Sequence, residues 1–420
     1  MAFMTTSPNS PPPEPQERWS TVAASAVLMG ITSGVWYSGS VFFVALLKEF
    51  GREYAITAGI FSMFTAVYGL SGVAVGALAD RFGPRRLILA GGLLAPIGLA
   101  GNSLSPTIES MYLTHGILAA AGMAAMGYVP VSVLLTQKFH RRRGLALGVA
   151  SAGTGFGIMV VVPLTQFAID HVGWRLAYVV LAAICLATVV SVALFAIPRS
   201  WMSPSGQPDG VSGPGLLAGP SRPSWILAST FRSREFWLLA LTFTFLNTPV
   251  QLTLTHHVAH LVEVGQSKTF VAGVVGLMGL MSVPAKITWG FLSDRWWLEA
   301  IYLTGVSCMI AAFVTLLLIG PTTATWMLYL YATLMAFGYA VSPAMTPILS
   351  GRFFAGPHFG MIFGAVNILY HLGGAAGVWM AGYAHDITGT YRAAFLGSML
   401  SAAITVGCVW LAAPRRIRLR

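Results

Sequence analysis

The sequence predicts an all-α membrane protein, with twelve transmembrane helices arranged as two pseudo-symmetric six-helix bundles. Three observations predict it: apolar runs of membrane-crossing length, basic residues gathered on one side, and an internal repeat that halves the chain. Hydrophobic residues fill 56% of the 420 positions and charged residues only 9%, against about a quarter in soluble domains. In water such a chain would expose apolar surface throughout and aggregate, so lipid is its solvent.

The elements follow in order. Residues 1–18 are rich in Pro and Ser and lack the basic start of a cleaved signal, so a disordered cytoplasmic tail is expected there. Apolar runs then occupy 21–47, 55–79, 86–106, 109–137, 143–169 and 174–197. After a break they occupy 236–261, 269–294, 299–320, 325–350, 358–384 and 391–413. Most reach the roughly 20 residues needed to cross a ~30 Å hydrocarbon core as helix. Their many Gly and Pro residues are tolerated in membrane bundles, where small side chains permit close backbone approach. The ~10-residue alternating segments of a membrane β-barrel are missing from the sequence. Cys185, Cys308 and Cys408 all fall inside apolar runs, as small core fillers with no metal-ligand or disulfide pattern.

Net charge is +11, and its placement carries the information. With the N-terminus inside, 18 of the 24 Lys and Arg lie on the side of the two tails. The opposite side holds Lys48, Arg52, Arg175, Lys268 and Arg392. That asymmetry predicts both termini in the cytoplasm of a plasma (inner) membrane. The basic balance is thereby explained as topology, and no nucleic-acid partner is expected.

The polar stretch 198–235 reads as a cytoplasmic linker between an N-terminal bundle, 19–197, and a C-terminal bundle, 236–413, with a basic tail at 414–420. The bundles repeat each other. Gly76-Ala-Leu-Ala-Asp80-Arg81 recurs 214 positions later as Gly290-Phe-Leu-Ser-Asp294-Arg295. Gly144, Gly148, Gly157 and Asp170 recur at an offset of 216 as Gly360, Gly364, Gly373 and Asp386. An ordered series at one offset indicates parallel six-helix repeats about an axis along the membrane normal.

The segment Gly76-Ala-Leu-Ala-Asp80-Arg81-Phe-Gly83-Pro-Arg85-Arg86 has readable physics. Asp80 sits at a helix C-terminus, where the dipole disfavours an anion, so it needs a compensating partner. Gly83 permits a tight reversal, while Arg85 and Arg86 anchor the loop on the basic side. The segment resembles the signature of the major facilitator superfamily between its second and third helices. That resemblance implies a latch between halves, formed by Gly76, Asp80, Arg81, Gly83, Arg85 and Arg86 with Gly290, Asp294 and Arg295 as the repeat copy. Arg85 and Arg86 read equally well as plain topology anchors.

A narrower likeness lies at 138–157, Lys-Phe-His-Arg-Arg-Arg-Gly-Leu-Ala-Leu-Gly-Val-Ala-Ser-Ala-Gly-Thr-Gly-Phe-Gly. With Val41-Phe-Phe-Val-Ala-Leu-Leu-Lys-Glu-Phe-Gly51 and the Asp386-Ile-Thr-Gly389-Thr-Tyr-Arg392 ending, it is similar to the monocarboxylate transporter family and its oxalate/formate antiporter relatives. The spaced glycines themselves read first as a packing stripe.

Lys286 is the most informative residue. Of 37 charged side chains it alone lies deep inside a span, eight residues before Asp294. That is about 12 Å from the helix end at 1.5 Å per residue. A mid-helix Lys costs roughly 2.5–3.5 kcal/mol on insertion scales. Snorkelling is difficult from that depth, so the residue reads as a cavity cation that binds an anionic substrate. In monocarboxylate transporters an Arg stands four residues before the second signature's glycine and pairs with the substrate carboxylate. Ala285-Lys286-Ile-Thr-Trp-Gly290 places Lys286 at that position, with a point charge in place of a rigid fork.

Two further departures concern coupling. The family's acidic residue one turn before the Arg corresponds here to Ser282, and its first-helix Lys to Tyr37. No Asp or Glu lies deep in any span. His371 is therefore the proton-coupling candidate, sharing a face with Asn367 one turn earlier; a hydrogen-bonded packing histidine is the alternative. Asn247 and Gln251, also one turn apart, either line the cavity or hydrogen-bond between helices. His256, His257 and His260 lie too near the far surface for a central site. Tyr128 and Tyr339 are either cavity-facing donors or packed aromatics.

Together these features predict a secondary transporter moving a small organic anion, a monocarboxylate by resemblance, with proton coupling. Lys286, Tyr37, Tyr128, Asn247, Gln251, Asn367 and His371 are the candidate substrate residues. Anion exchange and efflux of amphipathic compounds are alternatives within the same fold, and a non-transporting membrane sensor is the alternative from another class. No enzyme activity, cofactor or metal is expected, and the protein is expected to act as a monomer in the lipid bilayer.

Overall fold

The computed structural model describes residues 19–138, 143–192, 230–293, 295–354 and 359–412. The N-terminal tail, the basic tail and nearly all of the expected linker lie outside the described residues. The first half comprises α1 (Trp19–Phe50), α2 (Tyr54–Phe82), α3 (Pro84–Leu104), an interrupted fourth crossing and α7 (Arg143–Ser191). The second half comprises α8 (Arg234–Glu263), α9 (Lys268–Ser293), α10 (Leu298–Leu318), α11 (Thr325–Phe354), α12 (Phe359–Thr388) and α13 (Arg392–Ala412). Among the described residues, ten helices are long and apolar enough to cross a membrane. With α7 divided at Gly173 and the interrupted fourth counted, these elements make twelve passes, six in each half. The end of the bundle where α1 begins and α13 finishes is termed the terminal face, and the other end the distal face.

Three crossings depart from the simplest reading of one helix per apolar run. The fourth is built from α4 (Ile108–Met111), a π-helical stretch Tyr112–Ala119, α5 (Ala120–Met126) and α6 (Tyr128–Lys138). Its break at Gly127 has a local cause. Pro130 lacks the N–H that would close the turn onto the Met126 carbonyl, and Gly127 accepts the resulting backbone, φ −87° and ψ −142°. Crossings five and six run together as α7, divided at Gly173 (φ 80°, ψ 161°), a conformation open essentially only to glycine.

Each half is welded by a seam of small residues. Along α1, Gly30 and Gly34 face Gly153, Gly157 and Val161 of α7, and a Cβ added to Gly157 would collide with the Gly30 backbone. The repeat reproduces this between α8 and α12, where Gly373, Gly374 and Gly377 nest against Thr244, Asn247, Gln251 and Thr248. There the seam is also hydrogen-bonded: Thr244 Oγ1 donates to Leu369 O (3.2 Å) and Thr248 Oγ1 to Gly373 O (3.0 Å). Dispersion and shape hold such seams in lipid, because helix–helix contact there gains no hydrophobic term.

The halves meet along two related flanks, α7 with α9 and α12 with α2. On the α7–α9 flank, contact runs from the distal face, past Gly155 opposite Gly279, to Lys286. Beyond it, a Cβ on Gly148 or Gly290 would meet nothing within 4 Å. On the α2–α12 flank, Ser62 Oγ donates to Ala375 O (2.6 Å), His371 lies against Gly69, and a Cβ on Gly364 would sit 3.6 Å from Val73. Gly72 and Gly76 beyond are again open. The molecule is thus shut at its distal face and splayed toward its terminal face.

Candidate functional site

Lys286 sits on α9 where the two halves stop touching. Its Nζ donates to Thr154 Oγ1 of α7 at 2.5 Å, a bond that crosses from one half to the other. Thr154 spends its own proton on Ser151 O (2.7 Å), so its oxygen is an acceptor toward the amine. Among the described residues no carboxylate pairs with Lys286. A half-buried cation with one hydroxyl for company is poorly compensated, and an anion arriving beside it would supply the missing charge.

A tyrosine cluster lies beside the same helix. Tyr37 of α1 and Tyr339 of α11 place their ring centroids 6.3 Å apart. The Tyr339 side chain is 4% exposed, and its hydroxyl makes no geometrically satisfied hydrogen bond among the described residues. Its polar neighbours are Ser282, one turn before Lys286, and Tyr37. The Tyr370 hydroxyl of α12 accepts from Ser342 Oγ at 3.2 Å. The Tyr37 and Tyr339 hydroxyls are hydrogen-bond donors, and Ser282 beside Tyr339 shares a face of α9 with Lys286 one turn further on. Sequence reasoning does not single out Thr154, Ser342 or Tyr370. Thr154 lies within the glycine-rich 138–157 segment, where the glycines dominate the pattern, and Tyr370 directly precedes His371.

The other sequence candidates are distributed as follows. His371 on α12 packs against the first half, its ring 5.4 Å from Tyr68 and 6.3 Å from Trp36, with Nδ1 lacking a hydrogen-bond partner among the described residues. Asn367, a turn earlier, is half-buried. Tyr128 opens α6 and is 47% exposed. Asn247 and Gln251 are buried and hydrogen-bonded to other helices: Asn247 Nδ2 donates to Tyr370 O (2.8 Å) and Gln251 Nε2 to Thr65 Oγ1 (3.3 Å). The first of these bonds stays within the second half, and the second joins the halves.

The three α8 histidines lie in the distal third and are enclosed, not exposed. His256 contacts the Tyr391 hydroxyl (3.2 Å) and Val378 O (2.8 Å), and His257 contacts the Tyr331 hydroxyl (2.8 Å). His260 lies 3.3 Å from Leu316 O. They bind helices of the second half to one another.

At the terminal end of α2, Gly83 adopts φ 83° and ψ 146° and returns its N–H to Ala79 O (2.9 Å). Arg85 is buried, whereas Arg81 and Arg86 are exposed. In the repeat copy, the Arg295 guanidinium lies 3.7 Å over the Phe291 ring. Asp294 and the side chain of Asp80 lie outside the described residues.

Two six-helix halves, closed together at one end and meeting beside a half-buried cation, are the architecture of a polytopic membrane transporter. The chain belongs to the Major Facilitator Superfamily, whose family model matches residues 22–331 and 261–419. Similar proteins include Monocarboxylate transporter 13 of Bos taurus, 27% identical over 401 residues, which are 92% of this chain and 87% of that protein. Monocarboxylate transporter 11 of Homo sapiens is 28% identical over 421 residues, 97% of this chain and 85% of the relative. Monocarboxylate transporter 4 of Rattus norvegicus is 30% identical over 277 residues, 66% of this chain and 57% of its own. Among solved structures, a bacterial homolog of the human lysosomal transporter Spinster, inward-facing and occupied, superposes with a TM-score of 0.70 at 15% identity, covering 96% of this chain and 98% of that one. A peptide transporter POT in complex with sulfate gives a TM-score of 0.73 at 13% identity, covering 95% and 97%. At those identities the solved structures share the fold with this chain.

Proposed function

We propose that this transporter moves a small organic anion, a monocarboxylate foremost, by alternating access and together with protons. One observation carries the reading: Lys286 lies at the junction of the halves without a carboxylate partner among the described residues. The substrate carboxylate takes the place of Thr154 on the Lys286 amine, and the Tyr37 and Tyr339 hydroxyls donate to its second oxygen. An anion held by both halves stabilises the intermediate in which both faces are shut, which is what a carrier must do to pass its cargo on. The names of the similar proteins support the substrate class.

His371 is the proposed proton site, since it stands between α12 and the first half with one ring nitrogen unused. The terminal face is cytoplasmic in this reading, supported by the 18 basic residues on the side of the tails. The membrane is the plasma (inner) membrane and the working unit a monomer, with the linker at 198–235 joining the bundles. The signature residues latch the terminal face in the opposite conformation, when α2 and α9 approach the other half there.

The test is uptake of labelled lactate and pyruvate into proteoliposomes, with Lys286→Ala and Lys286→Arg beside the parent. Saturable uptake that falls at least tenfold in K286A and persists in K286R is expected. Equal uptake by K286A and the parent sinks the anion site. Acceleration by an inward proton gradient that vanishes in His371→Ala is the expected sign of coupling; uptake indifferent to the gradient but driven by internal anion would place the protein among exchangers instead.

A further inference from the structure

The distal seal is made by an unusual exchange of helix caps. The first turn of α2 leaves N–H groups without intrahelical partners, as every helix does, and its own N-cap residue, Glu53, offers no side-chain cap. The cap comes from the other half. Asp386, in the last turns of α12, accepts from Tyr54 N through Oδ1 and from Ala55 N through Oδ2, both at 2.7 Å. A second carboxylate of that half closes on the same residue: Glu263 Oε1, at the end of α8, accepts from the Tyr54 hydroxyl at 2.7 Å. Glu263 Oε2 lies 3.3 Å from His385 Nε2, and the His385 ring stacks on Tyr54 with centroids 3.8 Å apart. All four carboxylate oxygens thus have a partner, and three of those partners belong to the first turn of α2.

The repeat supplies a second copy of the device. Asp170 precedes Asp386 by 216 positions and ends the first arm of α7. Its Oδ2 accepts from Thr269 Oγ1 (3.2 Å) in the first turn of α9, the counterpart of α2. Its Oδ1 is occupied within its own helix by Gln166 Nε2 at 2.8 Å. Each half therefore sends an aspartate to the opening turn of a helix in the other half. The two copies are unequal: one grips two backbone N–H groups, the other a single side-chain hydroxyl.

We infer that Asp386 and Asp170 are paired distal gate residues, with Asp386 the dominant one and Glu263 its clamp on Tyr54. The carboxylates and the exposed N–H groups are attracted along the α2 dipole as well as by direct bonds, which makes the contact directional. They also sit at the water-facing end of the bundle, where solvent replaces each partner when the halves part. The gate accordingly holds without locking. Formation of these bonds requires the distal ends to touch, so they weight the molecule toward the distally closed state seen here. Nothing in this inference depends on which anion is carried.

The test uses spin-label pairs in full-length protein in lipid nanodiscs, with Cys185, Cys308 and Cys408 replaced by Ala. Labels at Thr107→Cys and Thr322→Cys span the distal face between halves; labels at Ser20→Cys and Trp297→Cys span the terminal face. Without substrate, Asp386→Ala is expected to shift at least a third of the distal distances to longer values and to shorten the terminal pair in step. D170A should move both pairs in the same directions by less. D386N keeps the size of the side chain but retains one acceptor oxygen, so it should fall between parent and D386A. It also decides the matter if D386A loses its fold, which would broaden both pairs together. Distance distributions in D386N and D386A that match the parent would overturn the gate assignment.

Discussion

At the scale of single residues, the lysine shows how little local sequence is needed to mark a function, and how much is needed to define it. A cation eight residues inside an apolar run is conspicuous, because burying it costs several kcal/mol unless something uses it. Its partner is not conspicuous. Thr154 lies 132 positions away, and only the meeting of α7 with α9 brings its oxygen to the amine. Thr154→Val removes the acceptor while keeping the shape. We expect it to leave the anion as the amine's sole partner and to change the substrate KM more than the maximal rate, as measured in the same proteoliposome assay. Thr154→Val with unchanged KM would show that the bond to Thr154 does not compete with substrate. The histidines behave in the reverse way. Position along α8 alone gives their depth, but it gives no sign that each is enclosed and hydrogen-bonded within its own half.

At the scale of elements, the twelve apolar runs map onto twelve crossings because span length is set by bilayer thickness and a helix's rise per residue. What periodicity cannot express is the backbone inside a span. The break at Gly127 arises from where Pro130 falls, and a hydropathy window averages over both it and the π-helical stretch before it. Glycine conformation makes a direct prediction here. Gly83 must hold φ near 83° between α2 and α3, so Gly83→Ala should cost about 1–3 kcal/mol. A lowered midpoint in thermal unfolding in detergent would register it, and an unchanged midpoint would mean that the loop can relax. Gly157→Val tests the seam in the same assay. Its branched side chain would be forced into the Gly30 backbone, and overpacking of about 1–3 kcal/mol or more is expected. The same change at Gly148, where a Cβ meets nothing within 4 Å, should be nearly silent.

At the scale of the whole molecule, the repeat is legible because an ordered set of matches shares one offset, and it fixes the number of halves and their relation. It cannot say which face is closed. Both faces carry glycines and aspartates that recur in the repeat, and the sequence assigns the latch to the terminal signatures. Among the described residues, the distal end carries inter-half hydrogen bonds through Asp170 and Asp386, which the repeat aligns without indicating what either one does. The candidate site at Lys286 is legible as a charge and illegible as a shape, because its partner Thr154 comes from the other half and the tyrosine cluster beside Ser282 is gathered from separate helices.

The Lys286 amine, without a carboxylate partner among the described residues, has an electrical consequence. A carrier with a positive centre and no fixed counter-charge becomes electrically neutral at that centre when a monoanion binds. With a proton aboard as well, as in the coupled cycle proposed above, the loaded carrier keeps one positive charge. Only an anion that crosses without a proton makes the loaded step blind to the membrane potential, whereas the empty carrier turns with a charge in the field in both cases. Full passage of one elementary charge is worth about 2.3 kcal/mol per 100 mV. An inside-negative potential should therefore draw the vacant site toward the inside and slow its return, while speeding inward passage of a proton-loaded carrier and leaving a proton-free loaded step alone. Net uptake limited by that return in potassium-loaded vesicles treated with valinomycin would fall as the imposed voltage grows, and exchange at saturating anion on both sides would respond to the voltage only if a proton travels with the anion. The lysine would in that case set the cell's voltage as a brake on the unladen half of the cycle.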